Sequence, residues 1–232
     1  GYYHAAIHPE HRKYLTTSIN GVLVRFLALP FGLCTAPRVF TKFMRLIVKF
    51  FRSNNINMLQ YLDDSMFIHP SRRSLYNIAR FVDHTLSDLG LMRNVNKGVW
   101  QPTQQLVHLG IGIDTVRGLF LVPPHKQATL KAAATSLLRY AASHRRWVSA
   151  KKVQNLCGLA ISLSIAFPVA RTVTRSLYDA ITDKDTWKRD VQLSKQAIRD
   201  LQFLATVTEE FCDKAIWTPK PLVTIHTDAS DT

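Results

Sequence analysis

Two adjacent carboxylates, Asp63 and Asp64, close the segment Tyr61-Leu62-Asp63-Asp64, which Met58, Leu59, Met66, Phe67 and Ile68 border on either side. Neighbouring acids repel each other and an apolar border hydrates them poorly, so cations or hydrogen-bond donors must offset their charge. A divalent metal ion is the natural partner. Mg²⁺ (or Mn²⁺) takes one or two carboxylates and completes its shell with water and substrate phosphate, which suits phosphoryl transfer. Taken alone, a pair of aspartates is more simply a polar turn, so the reading depends on the rest of the chain.

The elements that position the pair are legible from hydrophobic period and turn signals. Residues 57 to 62 and 65 to 68 are strand-like on either side of the acids, which places them at a hairpin tip. Residues 14 to 29 alternate around Asn20-Gly21, a hairpin turn signal. Phe40, Phe43, Met44, Ile47 and Phe51 recur at spacings of three and four over 36 to 52, with Pro37 in the first turn, and predict a helix. A second helix is predicted over Ser71 to Leu89, with Gly90 as its stop. Leu106 to Ile113 and Gly118 to Val122 read as short strands, so residues 1 to 122 form an α+β unit. Beyond Pro123-Pro124, helical patterns cover about 125 to 142, 149 to 164 and 185 to 206, with Pro168 between the last two. Strand character returns at Leu222 to Thr227.

The composition indicates what the chain binds. With 232 residues and 47% hydrophobic content, it has enough apolar surface for one large domain or two smaller ones. Thirty Lys and Arg against sixteen Asp and Glu give a formal net charge of +14, favouring a polyanionic partner. From Thr115 to Tyr178 there is no acid, whereas ten bases occur: Arg117, Lys126, Lys131, Arg139, Arg145, Arg146, Lys151, Lys152, Arg171 and Arg175. Solvated surfaces normally mix signs, so this stretch is expected to track phosphates. No apolar run approaches the roughly 20 residues of a spanning helix, and no membrane partner is expected. Cys34, Cys157 and Cys212 are odd in number and far apart, which suggests neither a disulfide framework nor a zinc site. A reducing intracellular compartment is therefore expected, while oligomeric state is not indicated.

Five ordered segments resemble successive motifs of reverse transcriptases. They are Gly1-Tyr2-Tyr3-His4; Leu29-Pro30-Phe31-Gly32-Leu33 with Ala36-Pro37 and Phe40; Tyr61-Leu62-Asp63-Asp64; Leu89-Gly90-Leu91 with Asn96 and Lys97; and His108-Leu109-Gly110. Ile7 to Arg12 and Thr35 to Phe40 look most like retrotransposon enzymes of the DIRS type. The resemblance implies an RNA-directed DNA polymerase using an RNA or DNA template with primer and dNTP. It also implies a polymerase palm (antiparallel sheet with helices) with partial fingers over 1–122. A mainly helical thumb over 123–180 and a connection segment over 181–221 would follow.

Roles follow position by position from that resemblance. Asp63 would be the principal metal ligand and Asp64 its helper. Tyr2 would lie beneath the incoming sugar and exclude a 2′-hydroxyl, while Phe31 and Gly32 would contact the nucleotide. Some family members carry Gln where this chain has Phe31. Lys97 would protonate or neutralise the leaving pyrophosphate. Leu109, Gly110 and Ile111 match a hairpin that grips the primer, although strand packing explains these side chains equally well. Val148, Val153, Gln154, Leu156, Gly158 and Pro168 match a thumb helix in the minor groove of the template-primer duplex, with Lys151 and Lys152 on phosphates. Ile225 to Ser230 resembles the first strand of an RNase H domain, with Asp228 as its first acid, in a segment taken as 222–232.

The family carries a further metal-binding Asp a few residues before the position of Tyr2, upstream of Gly1. The expectation is therefore that the chain is a fragment of a longer protein that polymerises, and that the fragment itself does so poorly or not at all. A non-catalytic nucleic-acid-binding remnant is the alternative. An RNA-dependent RNA polymerase shares the paired acids, but Tyr2 and the strand at Asp228 argue against it.

Overall fold

The computed structural model describes residues 1–91, 93–94, 96–182, 189–207 and 209–217. The strand expected at 222 to 227 and Asp228 lie outside the described residues. The chain divides into two compact units, Gly1–Thr103 and Gln104–Thr232.

In the first unit, β1 (Thr16–Ile19) and β2 (Val22–Arg25) form a hairpin with Ile19 opposite Val22. Its turn residues Asn20 (φ 50°) and Gly21 (φ 78°) both have positive φ, the conformation that matches the twist of paired strands. Helix α1 (Ala36–Ser53) carries Pro37 in its first turn and buries Ala36, Phe40, Met44, Ile47 and Phe51, as their spacing predicts. Strands β3 (Asn57–Tyr61) and β4 (Asp64–Ile68) pair antiparallel. Helix α2 (Arg72–Asp88) is capped by Ser71, whose side chain accepts from the Ser74 N–H, and is followed by Gly90 at φ 72°. The core joins Phe40, Met44, Ile47 and Phe51 of α1 to Ile56, Met58 and Val82. Fully burying a side chain of this size stabilises the fold by roughly 1.5–3 kcal/mol.

The second unit opens on β5 (Gln105–His108), β6 (Ile111–Asp114) and β7 (Leu119–Leu121). With β10 (Asp213–Ala215) they form an antiparallel sheet in the order β10-β7-β6-β5. The run from Leu106 to Ile113, expected as one strand, is therefore a hairpin. Leu109 (φ 50°) and Gly110 (φ 79°) make its turn between His108 and Ile111. Ile111 and Val122 join the helical core of this unit, so these strands fold with the helices that follow, although the sequence groups them with residues 1 to 103.

Helices α3 (Pro124–Ser143), α4 (Ala150–Ser162), α5 (Ala170–Asp179) and α6 (Lys195–Thr206) supply most of that core. Leu130, Ala134, Leu137 and Ala141 of α3 and Val153, Leu156, Cys157 and Ala160 of α4 are buried. The helix expected from 185 to 206 begins only at Lys195, where Ser194 accepts from the Ala197 N–H. Ahead of it, β9 (Asp190–Gln192) pairs with β8 (Trp147–Ser149). Between α3 and β8 the chain reverses through Arg145 (φ 50°) and Arg146 (φ 70°), with the Arg146 N–H bonded to the Ala141 carbonyl at 2.8 Å. This is the closure of a helix that normally recruits glycine. A left-handed residue other than glycine costs about 1–2 kcal/mol, whereas a cation at a helix C-terminus returns roughly 0.3–1 kcal/mol.

Candidate functional site

The β3–β4 hairpin displays the acid pair. Tyr61 lies opposite Asp64, so Leu62 and Asp63 are the two turn residues and Asp64 opens β4. Leu62 has φ 49°, a conformation a leucine adopts only where the surroundings impose it. Gln60 steadies the turn, with its side-chain amide donating to the Leu62 carbonyl and its oxygen accepting from the Ser65 hydroxyl. Asp63 and Asp64 are exposed, and neither carboxylate forms an ion pair or side-chain hydrogen bond with a described residue.

The first residue of the chain lies against this hairpin. A Cβ at Gly1 would come within 2.8 Å of Asp63 Oδ1, so the backbone just before Tyr2 borders the carboxylate directly. Tyr2 is half-buried, its ring 5.0 Å from that of Phe31 and 5.3 Å, edge-on, from that of Phe40. Phe31 is 67% exposed and also meets Tyr3 at 5.8 Å. Backbone pairing explains this proximity. Ala6 bridges Ala28, the Ile7 N–H donates to the Leu27 carbonyl, and the Leu29 N–H donates to the Ala5 carbonyl. The loop holding Phe31 and Gly32 is thereby laid beside Tyr2. Gly32 has φ 86°, and nothing lies within 4 Å of where its Cβ would be, so conformation requires glycine there.

Two participants escaped the sequence reading. The ring nitrogens of His4 engage the Gly1 and Gly90 carbonyls, each at 2.9 Å, tying residues 1 to 4 to the end of α2. Phe40 was legible as a core residue but not as the wall behind Tyr2. Lys97 is exposed in a turn whose backbone N–H bonds the Asn94 carbonyl, and no ion pair joins it to the acids.

Among the described residues no group of three or more His, Cys, Asp or Glu could hold a metal ion. Asp63 and Asp64 nevertheless offer hard oxygen donors without competing partners. That suits a hard divalent cation whose remaining ligands are water and phosphate.

In the second unit, Leu109 is half exposed and Gly110 lies under the Lys126 ammonium. A Cβ at Gly110 would meet Lys126 Nζ at 2.1 Å. Ile111 is 6% exposed and packs in the core, so its side chain serves the fold. On α4, Lys151, Lys152 and Gly158 are exposed and Gln154 is half-buried. A cavity of about 600 Å³ opens beside them, lined by Gln154, Asn155, Gly158, Tyr178, Ile181 and Thr182. No atom lies within 4 Å of a Cβ built on Gly158, so no neighbour in this chain demands its small size. Cys157, on the same helix, is buried, and desolvation pushes its thiol up to about 12. Burial, and after it the nearby Cys157, also raises the Tyr178 hydroxyl.

A hairpin presenting paired carboxylates with an aromatic cluster beside it in one unit, and a mainly helical unit with a basic helix as the other, make a mixed fold of helices and antiparallel sheets. Residues 1–113 match the family described as reverse transcriptase (RNA-dependent DNA polymerase). Protein P of duck hepatitis B virus (isolate brown Shanghai duck S5) is 26% identical over 238 residues, covering all of this chain and 28% of the viral protein. Protein P of the strain Germany/DHBV-3 is 27% identical over 114 residues, covering 49% of the chain and 14% of its own length. The chain thus spans little more than a quarter of the relative it matches from end to end. A foamy viral protease-reverse transcriptase in complex with double-stranded DNA shares the fold with TM-score 0.64 at 16% identity, over 87% of this chain and 32% of its own. The foamy viral enzyme in complex with an RNA/DNA hybrid matches with TM-score 0.64 at 15% identity, over 88% and 25%. No helix of the described residues is long and apolar enough to cross a membrane.

Proposed function

We propose that this chain forms the palm and thumb of an RNA-directed DNA polymerase, adding dNTPs to a primer 3′-hydroxyl on an RNA or DNA template. One observation carries the reading: two unpaired carboxylates sit on a strained turn bordered by the backbone that leads into Tyr2. Asp63 and Asp64 would hold Mg²⁺ or Mn²⁺, which when bound stabilises negative charge developing on the transferred phosphate. Tyr2, wedged between Phe31 and Phe40, would present a fixed aromatic edge to the sugar, and Gly32 would let the nucleotide approach the backbone. Lys97 would neutralise the leaving pyrophosphate. Leu109 and Gly110 would steady the primer strand, with Ile111 acting through the strand it anchors. Gln154 and Gly158 would meet the duplex groove, with Lys151 and Lys152 supplying positive charge.

In this reading residues 1–122 are palm with partial fingers, 123–180 thumb, 181–221 connection segment and 222–232 the first strand of an RNase H domain. The wording of Ile7 to Arg12 and Thr35 to Phe40 supports a DIRS-type retrotransposon as the source. A non-catalytic nucleic-acid-binding protein is the second reading, favoured by the want of a third acid beside Asp63 and Asp64 among the described residues.

Primer extension with dNTP and Mg²⁺, by the protein expressed from its whole reading frame, separates the two. Extension abolished by Asp63→Asn, with duplex affinity retained, supports the polymerase. Duplex binding with no extension by the unaltered protein supports the second reading.

A further inference from the structure

The reversal at Arg145 and Arg146 is not explained by the fold. Both residues are left-handed, and glycine or asparagine would close α3 at lower cost. Neither guanidinium forms an ion pair with a described residue. Arg145 is exposed and Arg146 partly so. The roughly 0.3–1 kcal/mol that a helix C-terminus returns to a nearby cation is less than the about 1–2 kcal/mol that each left-handed residue costs. Two cations are thus held, at a conformational cost, where they form no ion pair with an acid among the described residues.

Their surroundings are aromatic. The ring of His144 stacks on that of Tyr140 with centroids 3.9 Å apart and planes 7° from parallel. The His144 Nδ1 position is fixed by the Tyr140 carbonyl at 2.9 Å and the Ser143 hydroxyl at 2.8 Å. Lys152 Nζ lies 5.2 Å from the Tyr140 ring centroid. Trp147, immediately after the arginines, is 45% exposed and anchored by pairing with Gln192. The Gln192 side-chain amide also donates to the Arg145 carbonyl at 3.4 Å.

Fixed π faces interleaved with unpaired cations are what an unpaired polynucleotide strand recognises, since its bases are free to stack while its phosphates seek charge. A duplex hides its base faces and gains nothing from the rings. We propose that the corner formed by Tyr140, His144, Arg145, Arg146, Trp147 and Lys152 is a binding site for single-stranded nucleic acid. It is additional to the duplex face proposed for Gln154 and Gly158. Trp147 and the Tyr140–His144 stack receive bases, and the two arginines hold the flanking phosphates.

The deciding variant is Arg145→Gly/Arg146→Gly, because glycine relieves the left-handed backbone and so cannot unfold the turn. Binding is read by anisotropy of labelled oligo(dT) and of a blunt duplex across a salt series, alongside thermal unfolding. The expected result is an equal or higher Tm, weaker oligo(dT) binding and a salt slope shallower by about 1.4, the value for two lost single-strand phosphate contacts. Trp147→Ala is expected to weaken oligo(dT) binding by about tenfold at unchanged salt slope. Unchanged oligo(dT) affinity and slope in the glycine variant overturn the site, as does an equal loss on the blunt duplex. Either result leaves the primer-extension test of Asp63 untouched.

Discussion

The ring of Phe31 rests 5.0 Å from that of Tyr2, and the two are brought together by backbone pairing of residues 5 to 7 with residues 27 to 29. Phe31 stays two-thirds exposed in doing so and is a surface member of this aromatic cluster, outside the core. Substituting Phe31 by Ala leaves Tyr2 supported by Phe40 alone. The expected result is a several-fold rise in KM for dNTP with a smaller change in kcat, together with a near-native Tm, measured by steady-state extension and thermal unfolding.

Tyr2→Val removes the aromatic edge while keeping an apolar contact with Phe40. If Tyr2 meets the sugar, discrimination between dNTP and rNTP falls by at least about tenfold, equivalent to about 1.4 kcal/mol. Competition between the two nucleotides in one extension assay reads this directly. Unchanged discrimination would return Tyr2 to a packing role.

Gly158 allows stability and binding to be separated. Nothing fills the space where its Cβ would stand, so Gly158→Ala is expected to stabilise the exposed helix by up to about 1 kcal/mol. The added methyl obstructs close approach of a duplex, so affinity should fall as Tm rises. A parallel rise in both would assign the glycine no role in binding.

Asp114 gives the second unit an acid-sensitive turn. Its carboxylate accepts from the Arg117 and Val116 N–H groups and from the Gln105 amide, and these bonds hold it below its ordinary value of 3.8, the Arg117 N–H contributing most. A depressed folded-state value means the contribution is fully present above about pH 3.8 and lost as pH falls through the lower, native value. Asp114→Ala should lower Tm at neutral pH and flatten the acid limb of the stability profile. A profile identical to that of the unaltered protein would refute this account.

The cysteines predict a labelling pattern. Cys34 is exposed, whereas Cys157 and Cys212 are buried, and desolvation holds the Cys157 thiol near 12. At neutral pH a thiol reagent should modify Cys34 quickly and the other two only on unfolding, as mass spectrometry of labelled peptides would show.

How far these features can be read from the sequence depends on the range of the interactions that make them. Helix α1 and the turn at Asn20-Gly21 declare themselves because period and turn chemistry are local. Helix α5 does not: it is a single short helix behind Pro168, and only Ala170, Thr174 and Leu177 mark its buried face. Strands β8, β9 and β10 have three residues each, too few for alternation to register. The hairpin at Leu109-Gly110 hides within an apolar run that reads as one strand by hydrophobic period, and the motif match to a gripping hairpin was the better cue to the reversal. At the site, Asp63, Asp64 and Tyr2 were legible from motif order. The tether of His4 to Gly90 was not, because 86 positions separate partners that only the folded chain brings together.

The two hydrophobic cores share no residue. Among the described residues, a cavity in one cluster therefore removes no member of the other. A cavity opened at Leu156 or Leu201 would cost about 2–5 kcal/mol, and that cost falls on the unit holding the basic helix. The acid-bearing hairpin keeps its own support from Phe51, Ile56 and Met58. On the proposed function, lesions in the second core should weaken the grip on nucleic acid first and lesions in the first core should weaken chemistry first.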